Sequence, residues 1–450
     1  MSSEINLHVL DALSPDDRAR LMVRTEADLS KYADPVARII EAVRTEGDAA
    51  LARFAREFDK SPVDADAIAA TEADFERAFD SLEPEVVAAI EFAVGNIRAF
   101  HEDQMPERMW LEETQPGAYA GERWSPIPSV ACYVPRGKGS FPSVVMMTTI
   151  PAVVAGVPDI AVITPPGPDG EVDDATLVAA KLAGVTNVYK CGGAQGVAAV
   201  AYGTETVPRC RKIVGPGSPW VLAAKAQLAH RIDTGTPAGP SESIVLADAT
   251  ANPAIAALDL IIESEHGPDS SAYLVTDSRE VAEAARAAIP EYWAQMGEQR
   301  VGFSKAVLGG ERGGIVLAPD FAAAVAFVND YAPEHLEILG AEPFAHLGKI
   351  EHAGEVLLGE NTPITLGNFV LGPNAVLPTG GNARTYSPLS VFDCLKRIGI
   401  GYVTAEGYRL LAPHARTLAL YEGFDGHANA LSETRERAKA GKIGRPVSAG

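Results

Sequence analysis

From Ser129 onward, short β-rich runs alternate with helix-like stretches, and no other feature of the sequence restricts the fold so tightly. The runs are SVACYV, IAVITPP, NVYKC, RKIVGPG, SIVLAD, SAYLVT and GIVLAP; between them lie stretches such as DATLVAAKLAG and WVLAAKAQLAHR. Strands separated by helices of ten to fifteen residues predict βαβ units and mainly parallel sheets. In such sheets ligands gather beyond the carboxyl ends of the strands, so the Gly- and Pro-rich turns after the strands are where chemistry is expected.

The flanks read differently. Residues 1–30 are polar and weakly patterned, an arm of short helices. In PVARIIEAVRTEGDAALARFAREF, Val36, Ile39, Ile40 and Val43 share one helical face, and in EPEVVAAIEFAVGNIRAFHEDQ, Pro84 sits where a first-turn proline belongs. After about Ser390 the pattern returns to helix, and 431–450 is a polar tail. A chain of 450 residues predicts about three units, or two large ones with appendages. The start lacks a basic segment followed by an apolar one, and no stretch is long and apolar enough for a membrane helix. With 38 Lys and Arg against 60 Asp and Glu, the formal charge is −22, which disfavours nucleic-acid and membrane partners. Cys132, Cys191, Cys210 and Cys394 show no CxxC spacing and read as reduced thiols of a cytoplasmic enzyme.

Several constellations could carry chemistry. The GxGxxG fingerprint is absent; GPGSPW, Gly215 to Trp220, follows a strand and opens a helix, as a phosphate-cradling turn or a plain connection. VPRGKGSFPS offers Arg136 and Lys138 in a flexible turn, a place for an anionic group or a solvated loop. In NPAIAALDLIIESEHG, Asn252 caps a helix, Pro253 fills its first turn and Gly267 can end it. Glu263 and His266, three apart, share a face in its last turn, where the helix dipole favours a cation; alone, such a pair is as readily a surface feature. In YAPEHLEI, Glu334 and His335 are adjacent, so they point differently and can serve two steps, an imidazole as base and a carboxylate that activates water. His427 stands alone in YEGFDGHANA, and the remaining histidines lack partners at suggestive spacing.

In order, the blocks YVPRGKGSFPS, GGAQGVAA, KIVGPGS, PAGPSES, ESEHGPDS, YAPEHLEI, GPNAVLPTGGNAR with SPLSVFDCLK, and EGFDGHANA resemble the histidinol dehydrogenase family over about residues 30–430. The resemblance implies an NAD-dependent enzyme with one Zn²⁺ per subunit that oxidises a primary alcohol through the aldehyde to a carboxylate. It implies two Rossmann-like α/β domains with parallel-rich sheets, one from 31–132 and 242–388 with the catalytic and metal residues, the other, 133–241, binding NAD. It further implies a homodimer in which the C-terminal helical segment, 389–450, reaches the partner's site. His335 corresponds to the base and Glu334 to the water-activating group. Tyr133, Gln195 and Ser218 fall at NAD-side positions, Ser218 replacing an Asn. Ser241 and Glu422 fall at substrate-side positions.

The departures bear on substrate. The family's metal ligands are Gln, His, Asp and His; here they are Glu263, His266, Asn368 and His427. The swap keeps four donor side chains and one negative charge, which argues for a retained metal. A substrate-side His is replaced by Ala375, and Arg136 stands where Gly is common. Both fit the branch that oxidises 2,3-dihydroxypropane-1-sulfonate to sulfolactate, an anionic diol. L-Histidinol is the alternative substrate. A non-catalytic ligand-binding paralogue is expected to lose Glu334 and His335, and both are present.

Overall fold

A computed structural model describes residues 5–24, 29–136 and 139–441. Lys138, paired above with Arg136, lies outside them. The strands are β1 (Leu7–Val9), β2 (Met109–Gln115), β3 (Ala118–Pro126), β4 (Ser129–Tyr133), β5 (Asp159–Thr164), β6 (Val188–Lys190), β7 (Lys212–Val214), β8 (Glu242–Ala247), β9 (Ser271–Thr276), β10 (Gly313–Leu317), β11 (His335–Leu339), β12 (Glu355–Leu358) and β13 (Leu395–Val403). The chain divides into two compact units: Met1–Met105 with Pro126–Cys394, and Pro106–Ser125 with Leu395–Gly450.

The first unit holds two sheets, and every ladder in them is parallel. The four-stranded sheet has the order β6-β5-β4-β7 and the six-stranded sheet β1-β10-β9-β8-β11-β12. Each reverses direction next to its first long strand, at β4/β7 and at β8/β11, as in doubly wound α/β folds. The expected fold class, two parallel α/β sheets with helical flanks, is therefore present.

Strand periodicity sorts the six-stranded sheet's residues into two cores. Val245, Leu274 and Ile315 pack under the helices Pro253–Ser264 and Arg279–Trp293. Their neighbours Ile244, Leu246, Val275 and Val316 pack on the opposite face with Phe327 and Val328 of the helix Phe321–Tyr331.

The boundaries differ from those the sequence suggested. The expected break at 132/133 falls inside β4, whose five residues are all buried. The stripe Val36, Ile39, Ile40 and Val43 lies in the core of the four-stranded sheet, with Ile163, Ile213 and Val197, so the N-terminal helices belong with that sheet and not with the six-stranded one. The reason is packing: the helix Ser30–Glu46 lies on the alanine-rich helices Gly193–Tyr202 and Pro219–Leu228, whose small side chains allow close approach. The amino-terminal arm is not only helical either: β1 pairs with β10 as the edge of the six-stranded sheet.

The second unit is built on the sheet β13-β3-β2, in which β2 and β3 pair antiparallel, followed by the helices Ala405–Tyr421, Asp425–Ala430 and Glu433–Lys439. Among the described residues no helix is long and apolar enough to cross a membrane.

Candidate active site

Glu334 directly precedes β11 and His335 opens it, so both lie at the amino edge of the six-stranded sheet. Glu242 opens β8 and Glu355 opens β12, on either side of β11. The helix Pro253–Ser264 runs back after β8 and brings Glu263, in its last turn, to the same edge. In this sheet the candidate residues thus gather at the amino edge, not beyond the carboxyl ends where they were expected. Acidic residues placed first in adjacent parallel strands necessarily converge at the amino edge.

The cluster is buried and tightly connected. Glu334 Oε2 accepts from the Glu242 backbone N–H at 2.8 Å. His335 Nδ1 stands 2.5 Å from Glu355 Oε1, and its Nε2 lies 3.8 Å from Glu334 Oε1. Burial pushes the Glu334 carboxyl well above its usual range, with Glu263 adding to the rise and His335 opposing it. For His335, burial pulls the imidazole down, but Glu334, Glu263 and Glu355 together outweigh it and push it up to about 10. The surroundings therefore favour the imidazolium, the form a base adopts after taking a proton.

Glu263 is 1% exposed, and both its oxygens face the other candidate ligands: Oε1 accepts from Asn368 Nδ2 at 2.8 Å, and Oε2 is 3.0 Å from His266 Nδ1. Burial works to raise its carboxyl, yet His266, His335 and hydrogen bonds from Asn368 and Ser241 hold it below the ordinary value. Among the described residues no three His, Cys, Asp or Glu side chains converge on one point. Here Glu263 and His266 supply two donors, and an amide supplies the next. A buried, ionised carboxylate in contact with an imidazole and an amide oxygen-bearing group is a donor set that fits a small divalent cation. The His266 side chain keeps 38% exposure, so this corner opens outward.

Residues that sequence reasoning missed complete the edge. Arg24, from the amino-terminal arm, pairs with Glu242 Oε1 at 2.8 Å and lies 3.3 Å over the Tyr331 ring. Gly380 N–H donates to Glu242 Oε1 at 2.9 Å. Ala375 lies half-buried just before this stretch, next to Asn374, whose amide donates to the Met147 carbonyl at 2.6 Å. The signal for Glu242, Glu337 and Glu355 was available: a carboxylate that opens or interrupts an apolar strand run needs an explanation.

The dinucleotide-side candidates assemble at the carboxyl edge of the four-stranded sheet. Tyr133 ends β4, and its hydroxyl accepts from Gly193 N–H at 3.1 Å. Gln195 folds over the same turn; a Cβ on Gly193 would stand 2.6 Å from its Oε1. Ser218 precedes the helix Pro219–Leu228 after β7, and its hydroxyl makes no capping bond. Gly215 has φ +108°, and a Cβ there would meet the Tyr133 carbonyl oxygen at 2.3 Å, so only glycine fits this crossing.

The linker into β8 joins the two edges. Gly217 N–H donates to Ala238 O at 3.2 Å, and Glu242, four residues on, touches Glu334. Such a span is at most roughly 14 Å. Arg136 is not among the residues gathered at Glu334 and His335: its guanidinium donates to the Glu171 carbonyl at 2.9 Å and lies in the field of Asp59. Glu422 and His427 belong to the second unit, where they line a cavity of about 400 Å³ with Leu418, Phe424 and Leu431.

Comparisons with known proteins agree on one family. A family model described as histidinol dehydrogenase matches residues 22–435. "Histidinol dehydrogenase homolog 2" of Mesorhizobium japonicum is 63% identical over 98% of this chain and all of its own. Histidinol dehydrogenase of Synechocystis is 47% identical over 94% of this chain and 98% of its own. The crystal structure of histidinol dehydrogenase from Elizabethkingia anophelis superimposes with a TM-score of 0.91 at 30% identity, covering 98% of this chain and all of that one. With two parallel α/β sheets, an acid–imidazole pair at one edge and these relatives along nearly its whole length, the chain belongs to the histidinol dehydrogenase family.

Proposed function

We propose that this protein is an NAD-dependent, zinc-assisted oxidoreductase that converts a primary alcohol through the aldehyde to the carboxylate. The observation that carries the reading is the contact of one buried cluster, Glu334 with His335, beside the Glu263, His266 and Asn368 corner. Glu263, His266 and Asn368 would hold the cation; His427 is the fourth ligand that the family resemblance implies. When bound, the nicotinamide accepts hydride and the cation, as a Lewis acid, polarises the alcohol oxygen. In its neutral form His335 takes the alcohol proton, and Glu334, Glu263 and Glu355 stabilise the imidazolium that results. Glu334, fixed by the Glu242 N–H, activates the water that adds to the aldehyde. Tyr133, Gln195 and Ser218 hold the dinucleotide over the turn at Gly193 and the crossing at Gly215, and Ser241 positions both Glu263 and the substrate.

For the substrate we favour 2,3-dihydroxypropane-1-sulfonate over L-histidinol. Ala375 replaces an imidazole on a wall that leads to Glu242, and the relatives at 59–63% identity carry the name "homolog" where those at 39–47% are named histidinol dehydrogenases. Arg136, with its guanidinium engaged by Glu171, no longer supports that choice from the substrate side. The same reading makes the protein a homodimer: Leu418 (62% exposed), Tyr421 (90%) and Phe424 (51%) give the second unit an apolar surface around Glu422 and His427. A panel of alcohols with NAD⁺ and the zinc-loaded enzyme tests it. The sulfonated diol should yield two NADH per molecule; turnover of histidinol alone rejects the substrate, and no turnover of any alcohol rejects the activity.

A further inference from the structure

The face of the six-stranded sheet that carries His335 holds more buried acid than the proposed oxidation uses. His335 and Glu337 are two apart in β11 and point to one side. Glu355 is the register partner of His335 across β11 and β12, so it points to that side too. Asp259 enters the same layer from the helix Pro253–Ser264. All four are buried, Glu337 completely. Glu355 Oε1 meets His335 Nδ1 at 2.5 Å, whereas Glu355 Oε2, both oxygens of Glu337 and Asp259 Oδ2 are buried without a hydrogen-bond partner among the protein groups.

Glu337 and Asp259 face each other within hydrogen-bonding range. Ionised carboxylates only accept, so these oxygens are satisfied only if the pair keeps a proton between them. The groups whose charge bears on Glu337 are Asp259 from the helix and Glu355 from β12, both acidic. Burial raises Asp259 to about 6, with Glu337 partly offsetting the rise, and it raises Glu337 to about 10, with Asp259 and Glu355 adding to it. Glu355 and Glu337 are diagonal neighbours on the sheet, with roughly 7–8 Å between their backbones, a gap that two glutamate side chains or one water can close. Beyond Glu355 the remaining charges near His335 are Glu334 and Glu263, both engaged in the chemistry above.

We propose that Glu355, Glu337 and Asp259 form a proton route that drains His335 between oxidation steps. The proposal rests on the functional reading above, in which oxidation of alcohol and water to a carboxylate by two NAD⁺ releases protons at a base enclosed by protein. His335, protonated at Nε2 by the alcohol, passes its Nδ1 proton to Glu355 Oε1. Glu355, its carboxyl turned about the Cγ–Cδ bond, releases that same proton to Glu337; Glu337 hands its own proton to Asp259, and Asp259 gives one to water. Each hop breaks one N–H or O–H bond and forms one O–H bond, and no electrons change hands.

Two measurements on the zinc-loaded full chain test it, with thermal unfolding as the folding control. The first does not need turnover: infrared spectra of wild type and of Glu337→Gln at pH 7, in H₂O and D₂O. A protonated carboxyl band in the wild type that disappears in the variant is expected; its absence from the wild type overturns the route whether or not an alcohol is oxidised. The second is kinetic. Glu337→Gln and Asp259→Asn should lower kcat about 10-fold with KM unchanged, raise the solvent deuterium isotope effect, and recover with added imidazole or formate buffer. Glu337→Asp should keep most of the rate. A lower kcat without buffer rescue or isotope effect, or an unchanged kcat in both variants, assigns these acids to structure alone and overturns the proposal. Wild-type enzyme that shows the band but oxidises no alcohol overturns the functional reading instead.

Discussion

The two parallel sheets of the first unit use opposite edges in opposite ways. The four-stranded sheet follows the usual rule: Tyr133, Gln195 and Ser218 stand beyond carboxyl ends, and the edge is built from glycine turns and alanine-rich helices that let backbone come close. The six-stranded sheet places Glu242, His335 and Glu355 first in adjacent strands and closes the amino edge with a helix end. One edge offers shape with little charge; the other concentrates charge in a buried layer. On the reading proposed above, a dinucleotide is recognised by close backbone approach, whereas moving protons needs titratable groups held out of water, and the same layer architecture supplies either from either end.

The largest effect should come from the charged edge. His335→Asn removes the imidazole that touches Glu334 and Glu355 and should reduce alcohol-dependent NADH formation by roughly 10³-fold, within the range for a general base; steady-state rates above a tenth of wild type would remove His335 from that role. Glu334→Gln should spare the first oxidation and stall the second. Trapping with a carbonyl reagent should then show aldehyde, with NADH per alcohol falling toward one, and normal acid formation would contradict the assignment.

At the glycine edge the expected effect is on stability and NAD⁺. Gly215→Ala forces a Cβ against the Tyr133 carbonyl at φ +108° and should cost about 1–3 kcal/mol, with a raised KM for NAD⁺ and unchanged zinc content. The charged edge predicts a pH trend opposite to that of carboxylates held ionised by ion pairs or hydrogen bonds. Glu337 and Asp259 bind protons more tightly folded than unfolded, so their stabilising contribution is full below the unfolded values near pH 4 and is lost as pH rises through about 6 and then toward 10. Unfolding free energy should fall between pH 6 and 9, by up to about 1.4 kcal/mol per pH unit for each proton involved, the melting temperature should fall with it, and Glu337→Gln should flatten the curve. The smallest effect belongs to Arg136→Gly: placed at the Glu171 carbonyl, it should leave KM for the alcohol within about twofold, and a large rise would return Arg136 to the substrate.

Much of this was readable before any coordinates. The alternation of strands and helices announced mainly parallel sheets, the family resemblance put them in two domains, and the adjacency of Glu334 and His335 together with the spacing of Glu263 and His266 marked groups that the fold does bring into contact. What the sequence hid depends on spatial order. Nothing in a one-dimensional pattern says that β12 lies beside β11, which is what turns Glu355 into the partner of His335. Nor does helical periodicity say that Val36 and Ile39 pack on the four-stranded sheet, which moved the domain boundary. Arg136 illustrates the opposite error: a cation in a flexible turn invited an anion, and the carbonyl of Glu171 already occupied it.

The reach of Arg24 into the amino edge has a consequence for handling the protein. A guanidinium from the opening arm neutralises Glu242, the residue whose N–H steadies Glu334. A truncation or proteolytic nick that released the arm would strand an enclosed anion beside Glu334, so preparations trimmed at their beginning should be less stable than the full chain.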